Sequence, residues 1–420
     1  MKHQTLHRLV LDNGIILLLT ENPTADLISA RLFFKDSGSR WESPEKAGLS
    51  NLLATVLTKG SKQYSSAQIA EKIESIGASL SADTGSDYFA ISLKTVSTDF
   101  AEVLELAKEI IRFPTFPPLE IELEKNLISQ SIRSQMEQPF NVAFNQLRAS
   151  MYGDHPYSFS ILGTEKTIHN LSRSDLEIYH QSFFRPDRLV ISLSGRITLE
   201  DGRRLVEKVF GDWEIPNQGF PVFADGAIAI NPCQKVTIQE TQQSIIMLGY
   251  LAPSVKHEDY APLKLLSTYL GNGLSSRLFV ELREKRGLAY DVSAFYPTRL
   301  DTSQFVMYIG TAPDNTGTAL EGLRQEAERL CQVQLSTDEL QAAKNKILGQ
   351  YALGKQTNAE IAQLYGWYET LGLGVEFDAQ FQEAVTHVTS EQAQSVAREY
   401  LGVPYISLVG PGEVMQDFQD

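Results

Sequence analysis

One order of elements occurs twice in this 420-residue chain, and that repeat constrains the fold more than any other feature. In the first half a helix ending in Gly77 leads to Ala78-Ser79-Leu80 and a Gly/Asp-rich turn. The run Tyr88 to Lys94 follows, its Phe89, Ile91 and Leu93 alternating as in a half-buried strand, and an amphipathic helix is predicted from Asp99 to about Arg112. In the second half a helix ends near Gly287. A strand through Tyr290-Asp291-Val292-Ser293 comes next, then a turn, the run Phe305 to Ile309, and an amphipathic helix from about Thr316 to Leu330. Two similar halves account for the length better than three unrelated domains of ~150 residues. The expected class is α+β, two homologous halves, each a mainly antiparallel sheet packed with helices.

Glu214 to Pro232, EIPNQGFPVFADGAIAINP, concentrates Pro and Gly and has no helical period. A boundary there divides the chain into residues 1–214, a linker at 215–232, and residues 233–420. Pro114, Pro117 and Pro118 break the chain before a long charged helix from about Leu119 to Gln138, and strand-like runs at Leu189–Leu193 and Ser244–Tyr250 flank the linker.

Composition removes several function classes. A net charge of -15 and a pI near 5.0 argue against nucleic acid, which needs a basic face. An acidic surface is first a solvated one, and it also fits basic peptides. Cys233 and Cys331 make no disulfide framework and no CxxC pair, so buried or half-buried thiols are expected. The first residues, MKHQTLHRLVLDNGIILLLTENP, have no h-region and run strand, Asp12-Asn13-Gly14 turn, strand. No ~18-residue apolar run exists, so no membrane span is expected and the cytoplasm is the expected compartment.

Residues 48–60, GLSNLLATVLTKG, place Leu49, Leu52, Leu53, Val56 and Leu57 on one helical stripe. Off the stripe, Asn51, Ala54 and Thr55 are helical neighbours at i, i+3 and i+4. An HxxEH zinc helix uses that spacing, with two His holding the metal and the Glu activating water. The surrounding run, GSRWESPEKAGLSNLLATVLTKGSKQYSSAQIAEKIESIGASLSADTGSDYFAISLKT, resembles the opening of the pitrilysin/insulinase (inverted-zincin) metallopeptidase family. The resemblance puts Asn51 at the first His position, Ala54 at the Glu and Thr55 at the second His. It puts Gln130 and Ser131, in the charged helix ~75 residues on, where the third, carboxylate ligand belongs. Neutral groups at all of these positions bind no Zn²⁺ as imidazole and carboxylate do, and leave no general base. The other histidines are not arranged for a metal. His3 and His7 fall in a predicted strand, His155 lies in a turn resembling the family's "HPYG...GT", and His169, His180, His257 and His387 are single.

Residues 271–296, GNGLSSRLFVELREKRGLAYDVSAFY, resemble the family's second-domain signature, "LREK-GLAY". The resemblance assigns substrate contact to Arg283 and Tyr290. It implies a phenol donating to the scissile carbonyl as that becomes an oxyanion, and a guanidinium holding substrate backbone oxygens, across a clam-like chamber from the zinc helix. "LFVELREKRG" also reads as an ordinary charged helix with a Gly C-cap, which leaves Arg283 near a solvent face. GNGLSS has neither GxGxxG nor P-loop spacing. Phe184 to Val190 and Leu205 to Trp213 extend the likeness. Ser81-Ala82-Asp83-Thr84 lacks the Asn of the family's edge-strand "NA-T", and no long Gly-rich loop like that of the mitochondrial non-catalytic subunit occurs.

The resemblance thus implies a non-catalytic, substrate-binding subunit of a heterodimeric zinc peptidase. It looks like the inactive chain of two-subunit bacterial peptidases and of mitochondrial processing peptidase. Such a chain is inactive alone, has no cofactor of its own, and works on peptides beside an HxxEH-bearing homologue that carries the zinc. The alternatives are a structural core-type subunit of a larger complex and an autonomous peptide-binding protein without proteolysis.

Overall fold

The computed structural model describes residues 5–221, 226 and 228–419. Elements run β1 (Leu6–Val10), β2 (Ile16–Glu21), β3 (Leu27–Phe34), α1 (Leu49–Val56), α2 (Ser66–Glu74), β4 (Ser79–Thr84), β5 (Phe89–Val96) and α3 (Phe100–Arg112). They continue with α4 (Pro118–Glu137), α5 (Pro139–Tyr152), α6 (Glu165–Asn170), α7 (Arg173–Phe183), β6 (Leu189–Gly195) and α8 (Leu199–Phe210). The second series is β7 (Gln234–Ile238), β8 (Ser244–Ala252), α9 (Tyr260–Gly271), a π-helix at Phe279–Lys285, β9 (Asp291–Phe295) and β10 (Ser303–Thr311). It closes with α10 (Thr316–Gln332), α11 (Thr337–Leu353), α12 (Asn358–Thr370), α13 (Phe377–His387), α14 (Ser390–Tyr400), β11 (Tyr405–Gly410) and α15 (Gly412–Met415).

The expected repeat is present as sheet topology. One sheet has the order β1-β2-β6-β3-β5-β4 and the other β7-β11-β8-β10-β9. Apart from β1, each strand of the first has its counterpart five strands later. In both sheets the single parallel contact is the equivalent one, β2 with β6 and β11 with β7. Ile191-Ser192-Leu193 of β6 and Ile406-Ser407-Leu408 of β11 therefore hold the same positions. The alternation seen in β5 buries Phe89, Ile91 and Leu93 against the helices of the first core. Between the series, the described residues of the 215–232 linker form neither helix nor strand; 222–225 and 227 lie outside the described residues.

The compact units do not follow one cut at that linker. One unit is Met1–Ile132, Ser160–Asp225 and Ala352–Phe377, and the other is Arg133–Phe159, Gly226–Tyr351 and Asp378–Asp420. The linear division 1–214 and 233–420 is corrected by an exchange of equivalent helices. α12, late in the chain, lies on β3 and β6 of the first unit, and α5, early in the chain, lies on β8 and β11 of the second. Polar anchors seat each one. Asn358 Oδ1 accepts from Asn22 Nδ2 at 2.8 Å and from Ser194 Oγ at 3.1 Å. Glu369 receives Arg8 through two bonds of 3.0 and 2.9 Å. On the other sheet Gln146 Nε2 donates to Ser407 Oγ at 3.1 Å.

Candidate functional site

α1 begins without a side-chain cap of its own. Gly48 precedes it with φ 97°, and a Cβ there would lie 2.6 Å from Ile168 Cδ1 and 2.7 Å from the Leu162 carbonyl oxygen, so no side chain fits. The first N–H groups of the helix need an acceptor from elsewhere. Glu42 supplies it: its carboxylate accepts from Gly48 N at 2.8 Å and Ser50 N at 2.6 Å. Burial pushes this carboxyl up to about 7, against the lowering pull of those bonds. Tyr179 accepts from Gly38 N at 2.8 Å, and burial, with the Glu42 charge beside it, holds its phenol well above the usual range. Behind the cap, Leu52, Leu53, Val56 and Leu57 are fully buried and Leu49 nearly so, as the stripe predicts. Burial of such side chains stabilises by ~1.5–3 kcal/mol each, enough to fix the helix without any metal.

The face that the spacing singles out is intact in geometry and neutral in chemistry. Asn51 and Thr55 are half-buried and Ala54 is buried. The Thr55 hydroxyl donates to the Leu52 carbonyl at 3.0 Å, back into its own helix. On α4, Gln130 and Ser131 are exposed, and the Ser131 hydroxyl donates to the Leu127 carbonyl at 3.0 Å. Among the described residues no hydrogen bond joins these two to Asn51 or Thr55. The carboxylate that α4 does bury is Glu124, paired with Lys59 Nζ at 2.9 Å just beyond α1. No group of three His, Cys, Asp or Glu able to hold a metal occurs among the described residues. Two amides, two hydroxyls and a methyl do not fit zinc, which takes thiolate, imidazole and carboxylate donors.

Arg283 and Tyr290 both precede β9, an edge strand of the second sheet, Tyr290 immediately before it. The segment expected as an ordinary α-helix is a π-helix over Phe279–Lys285, a rare form frequently seen at functional sites. It buries Leu278 and Leu282 and leaves Arg283 exposed, the guanidinium 4.9 Å from the Phe279 ring centroid. Gly287, with φ 64°, closes the turn. Tyr290 is 57% exposed; its backbone N–H donates to the Gly310 carbonyl at 2.8 Å, which holds the residue at the sheet edge while the phenol stays in solvent. Both are therefore donors available to a ligand.

The histidines have structural surroundings. His155 Nδ1 accepts from Tyr157 N at 3.1 Å and caps the Pro156–Ser158 turn. His180 is bonded to the Ile111 carbonyl at 2.6 Å, and burial lowers it to about 4. His7 lies in β1, His169, His257 and His387 stand apart, and His3 lies outside the described residues. Glu42 and Glu124 were not singled out from sequence. The missing cap at Gly48 is the signal that an outside acceptor was needed, and no comparable local signal marks Glu124.

A duplicated α+β chain whose site helix keeps its packing and lacks metal donors defines an inactive-type zinc-peptidase relative. Comparison with known proteins agrees. Residues 16–165 match the model of insulinase (peptidase family M16), and residues 170–347 match that of the peptidase M16 inactive domain. The "uncharacterized zinc protease YmxG" of Bacillus subtilis (strain 168) is 28% identical over 413 residues, spanning 97% of this chain and 98% of its own. The "uncharacterized zinc protease ML0855" of Mycobacterium leprae (strain TN) is 26% identical over 384 residues, spanning 89% and 85%. Among solved structures, a peptidase M16 inactive domain from Pseudomonas fluorescens superposes with a TM-score of 0.88 at 24% identity, covering 97% of this chain and 98% of that one. A protease from Helicobacter pylori superposes with a TM-score of 0.89 at 20% identity, covering 97% and 99%. The chain belongs to the pitrilysin/insulinase family, peptidase M16. Among the described residues no helix is long and apolar enough to cross a membrane.

Proposed function

We propose that this chain is the non-catalytic, substrate-binding subunit of a heterodimeric zinc peptidase. The observation that carries the reading is the pairing of an intact, fully packed α1 bearing neutral Asn51, Ala54 and Thr55 with an exposed Arg283 and Tyr290. The partner is an HxxEH-bearing homologue that holds the zinc. This chain contributes two donors to a bound peptide. Arg283 holds backbone carbonyl oxygens through its planar fork, and the Tyr290 hydroxyl donates to the carbonyl oxygen that gains negative charge. The relatives' designation as zinc proteases favours proteolysis over a purely structural role. The test is coexpression with an HxxEH homologue, followed by size-exclusion chromatography and peptide hydrolysis. The expected result is one heterodimeric species that cleaves peptides, while this chain alone cleaves none and retains no stoichiometric zinc. Two species eluting separately at micromolar concentration, or one tightly held zinc per isolated chain, would overturn it.

A further inference from the structure

A cavity of about 630 Å³ opens at one end of the second sheet, and neither Arg283 nor Tyr290 lines it. One side is the C-terminal end of β8, Tyr250 to Ala252, with Tyr405 at the start of β11. Thr302, just before β10, also lines it, whereas Tyr290 is held by Gly310 near the far end of β10. At ~3.3 Å per residue of strand, Thr302 and Gly310 lie roughly 26 Å apart, so the cavity is separate from the Arg283 and Tyr290 site. Hydrogen bonds fix its other sides. Tyr405 Oη accepts from Asn231 N at 2.8 Å and donates to the Ala229 carbonyl at 3.4 Å. Ile406 N donates to the Cys233 carbonyl at 2.9 Å, which ties the 228–232 segment to β11. The end of α14 supplies Glu399 and Tyr400, and the Tyr400 hydroxyl donates to Asp259 Oδ2 at 2.9 Å. With those two hydroxyls engaged, Tyr400 and Tyr405 offer the cavity their rings.

The lining sorts ligands by chemistry. Ile230 and Val403 stand at 79% and 76% exposure on this cavity, and an apolar body inside it removes such surface from water. Among the described residues that line it, the one charged side chain is that of Glu399, which is exposed. A carboxylate beside aromatic faces attracts an ammonium, through its charge and through cation–π contact, and repels an anion. The volume falls within the ~300–1,000 Å³ of small-molecule pockets. A peptide segment would bring backbone N–H and C=O groups that a mainly apolar lining leaves unbonded, which favours a small molecule.

We propose that this cavity binds a small organic amine, its aliphatic or aromatic body among Leu251, Tyr250 and Tyr405 and its ammonium at Glu399. Titration of the full chain with dansylcadaverine tests it, because the dansyl group brightens in apolar surroundings and the tail ends in an ammonium. Dansylamide, which is neutral, and dansylglycine, a carboxylate, carry the same fluorophore. The expected result is a saturable rise for dansylcadaverine, half-complete on the order of 10 μM for a ligand of this size, with dansylamide weaker and dansylglycine weakest. Val403→Arg puts bulk and a like charge at an exposed position, so it should weaken dansylcadaverine about tenfold and leave melting unchanged. Glu399→Gln should weaken it roughly two- to fivefold, the range of an exposed ion pair, and bring it level with dansylamide. No saturable rise in the wild-type chain overturns the proposal whether or not the variants fold. Equal affinity for all three probes would be adsorption to an apolar surface and overturns the amine assignment. Unweakened binding by Val403→Arg would place the probe elsewhere. Self-association that Val403→Arg abolishes, without probe binding, would make the opening a contact between copies and overturn the proposal too. The readout needs neither a partner subunit nor peptide hydrolysis, so it stands or falls apart from the heterodimer.

Discussion

The two units use one strand order and reverse the packing complement at its centre. In the first, Phe33 of β3 points at α12, and Gly366 of that helix makes room: a Cβ there would lie 2.6 Å from the Phe33 ring. In the second, the position matching Phe33 is Gly249 of β8, as the pairings Phe33 with Val190 and Gly249 with Tyr405 show. Here the helix provides the bulk, with Met151 Sδ and Leu147 Cδ1 at 2.6 and 2.9 Å from the Cβ site. The segments between the second and third equivalent strands, β3 to β4 and β8 to β9, differ as well. The first holds a buried α-helix with neutral side chains at its site positions, the second a π-helix presenting Arg283. Duplication preserved the frame, which is set by backbone pairing. Side-chain volume and chemistry diverged wherever a compensating change was available across the contact.

The largest effect should come from the side of the comparison that kept its polar groups. In a reconstituted pair, Tyr290→Phe removes one hydroxyl and keeps the ring, and the residue is exposed, so folding should be untouched. Loss of an oxyanion-directed donor lowers kcat by about 10²–10³, or ~3–4 kcal/mol. Arg283→Ala should raise KM as well, because its contacts are made to the ground state too, and Arg283→Lys should restore only part. Peptide hydrolysis with melting as a folding control reads the result. Unchanged kcat and kcat/KM for Tyr290→Phe in an assembled complex would make the pair structural.

The packing reversal predicts unequal responses to two glycine substitutions, a large side chain against a buried ring and a small one against flexible side chains. Gly366→Leu pushes a side chain into the Phe33 ring, which is fully buried and has nowhere to move; a loss of about 3 kcal/mol is expected. Gly249→Ala meets the thioether end of Met151, a flexible side chain, and should cost under about 1 kcal/mol. Combining Gly366→Leu with Phe33→Gly should return part of the loss, since the two sites share one contact. Urea denaturation curves measure all three variants. Equal losses for Gly366→Leu and Gly249→Ala would mean that the complement is not what seats the helices.

Periodicity made most of the fold legible. The alternation at Phe89, Ile91 and Leu93 and the stripe of Leu49, Leu52, Leu53, Val56 and Leu57 report burial directly, because each counts residues along one element. The exchange of α5 and α12 was not legible. Which sheet a helix joins is settled by distant partners such as Asn22 for Asn358 and Ser407 for Gln146, and nothing in either helix names them. The π-helix was missed for a related reason: Leu278 and Leu282 have the ordinary helical spacing, and the widened turn leaves no mark on it. In the candidate site, Asn51, Ala54, Thr55, Gln130 and Ser131 sit on helices as expected, while Arg283 lies on the π-helix and Tyr290 just ahead of β9. The group that positions α1, Glu42, lies outside the helix it caps and escapes any reading by helix period.

α9 has no side-chain cap at its N-terminus, so the titration of Glu42 should separate the two units by pH. Its carboxyl is an acid held above its ordinary value: about 7 in the folded chain against 4.5 for the free group. Below pH ~4.5 both folded and unfolded chains hold the proton. Between that point and about 7 only the folded chain does, so stability falls as pH rises through this window and levels off above it. Glu42→Gln is neutral throughout and keeps an oxygen to accept from Gly48 or Ser50, so it should lack that slope. The gap between variant and wild type should move in the variant's favour by about 2 kcal/mol from pH 4.5 to 7. Glu42→Ala separates the cap from the charge. It leaves two buried N–H groups without their acceptor and should destabilise at every pH. Denaturation midpoints across pH 4.5 to 8 measure both. Parallel curves for wild type and Glu42→Gln would show that the cost of burial behind α1 is cancelled by the two backbone bonds, and a slope of the opposite sign would make the ionised carboxylate the favoured capping form.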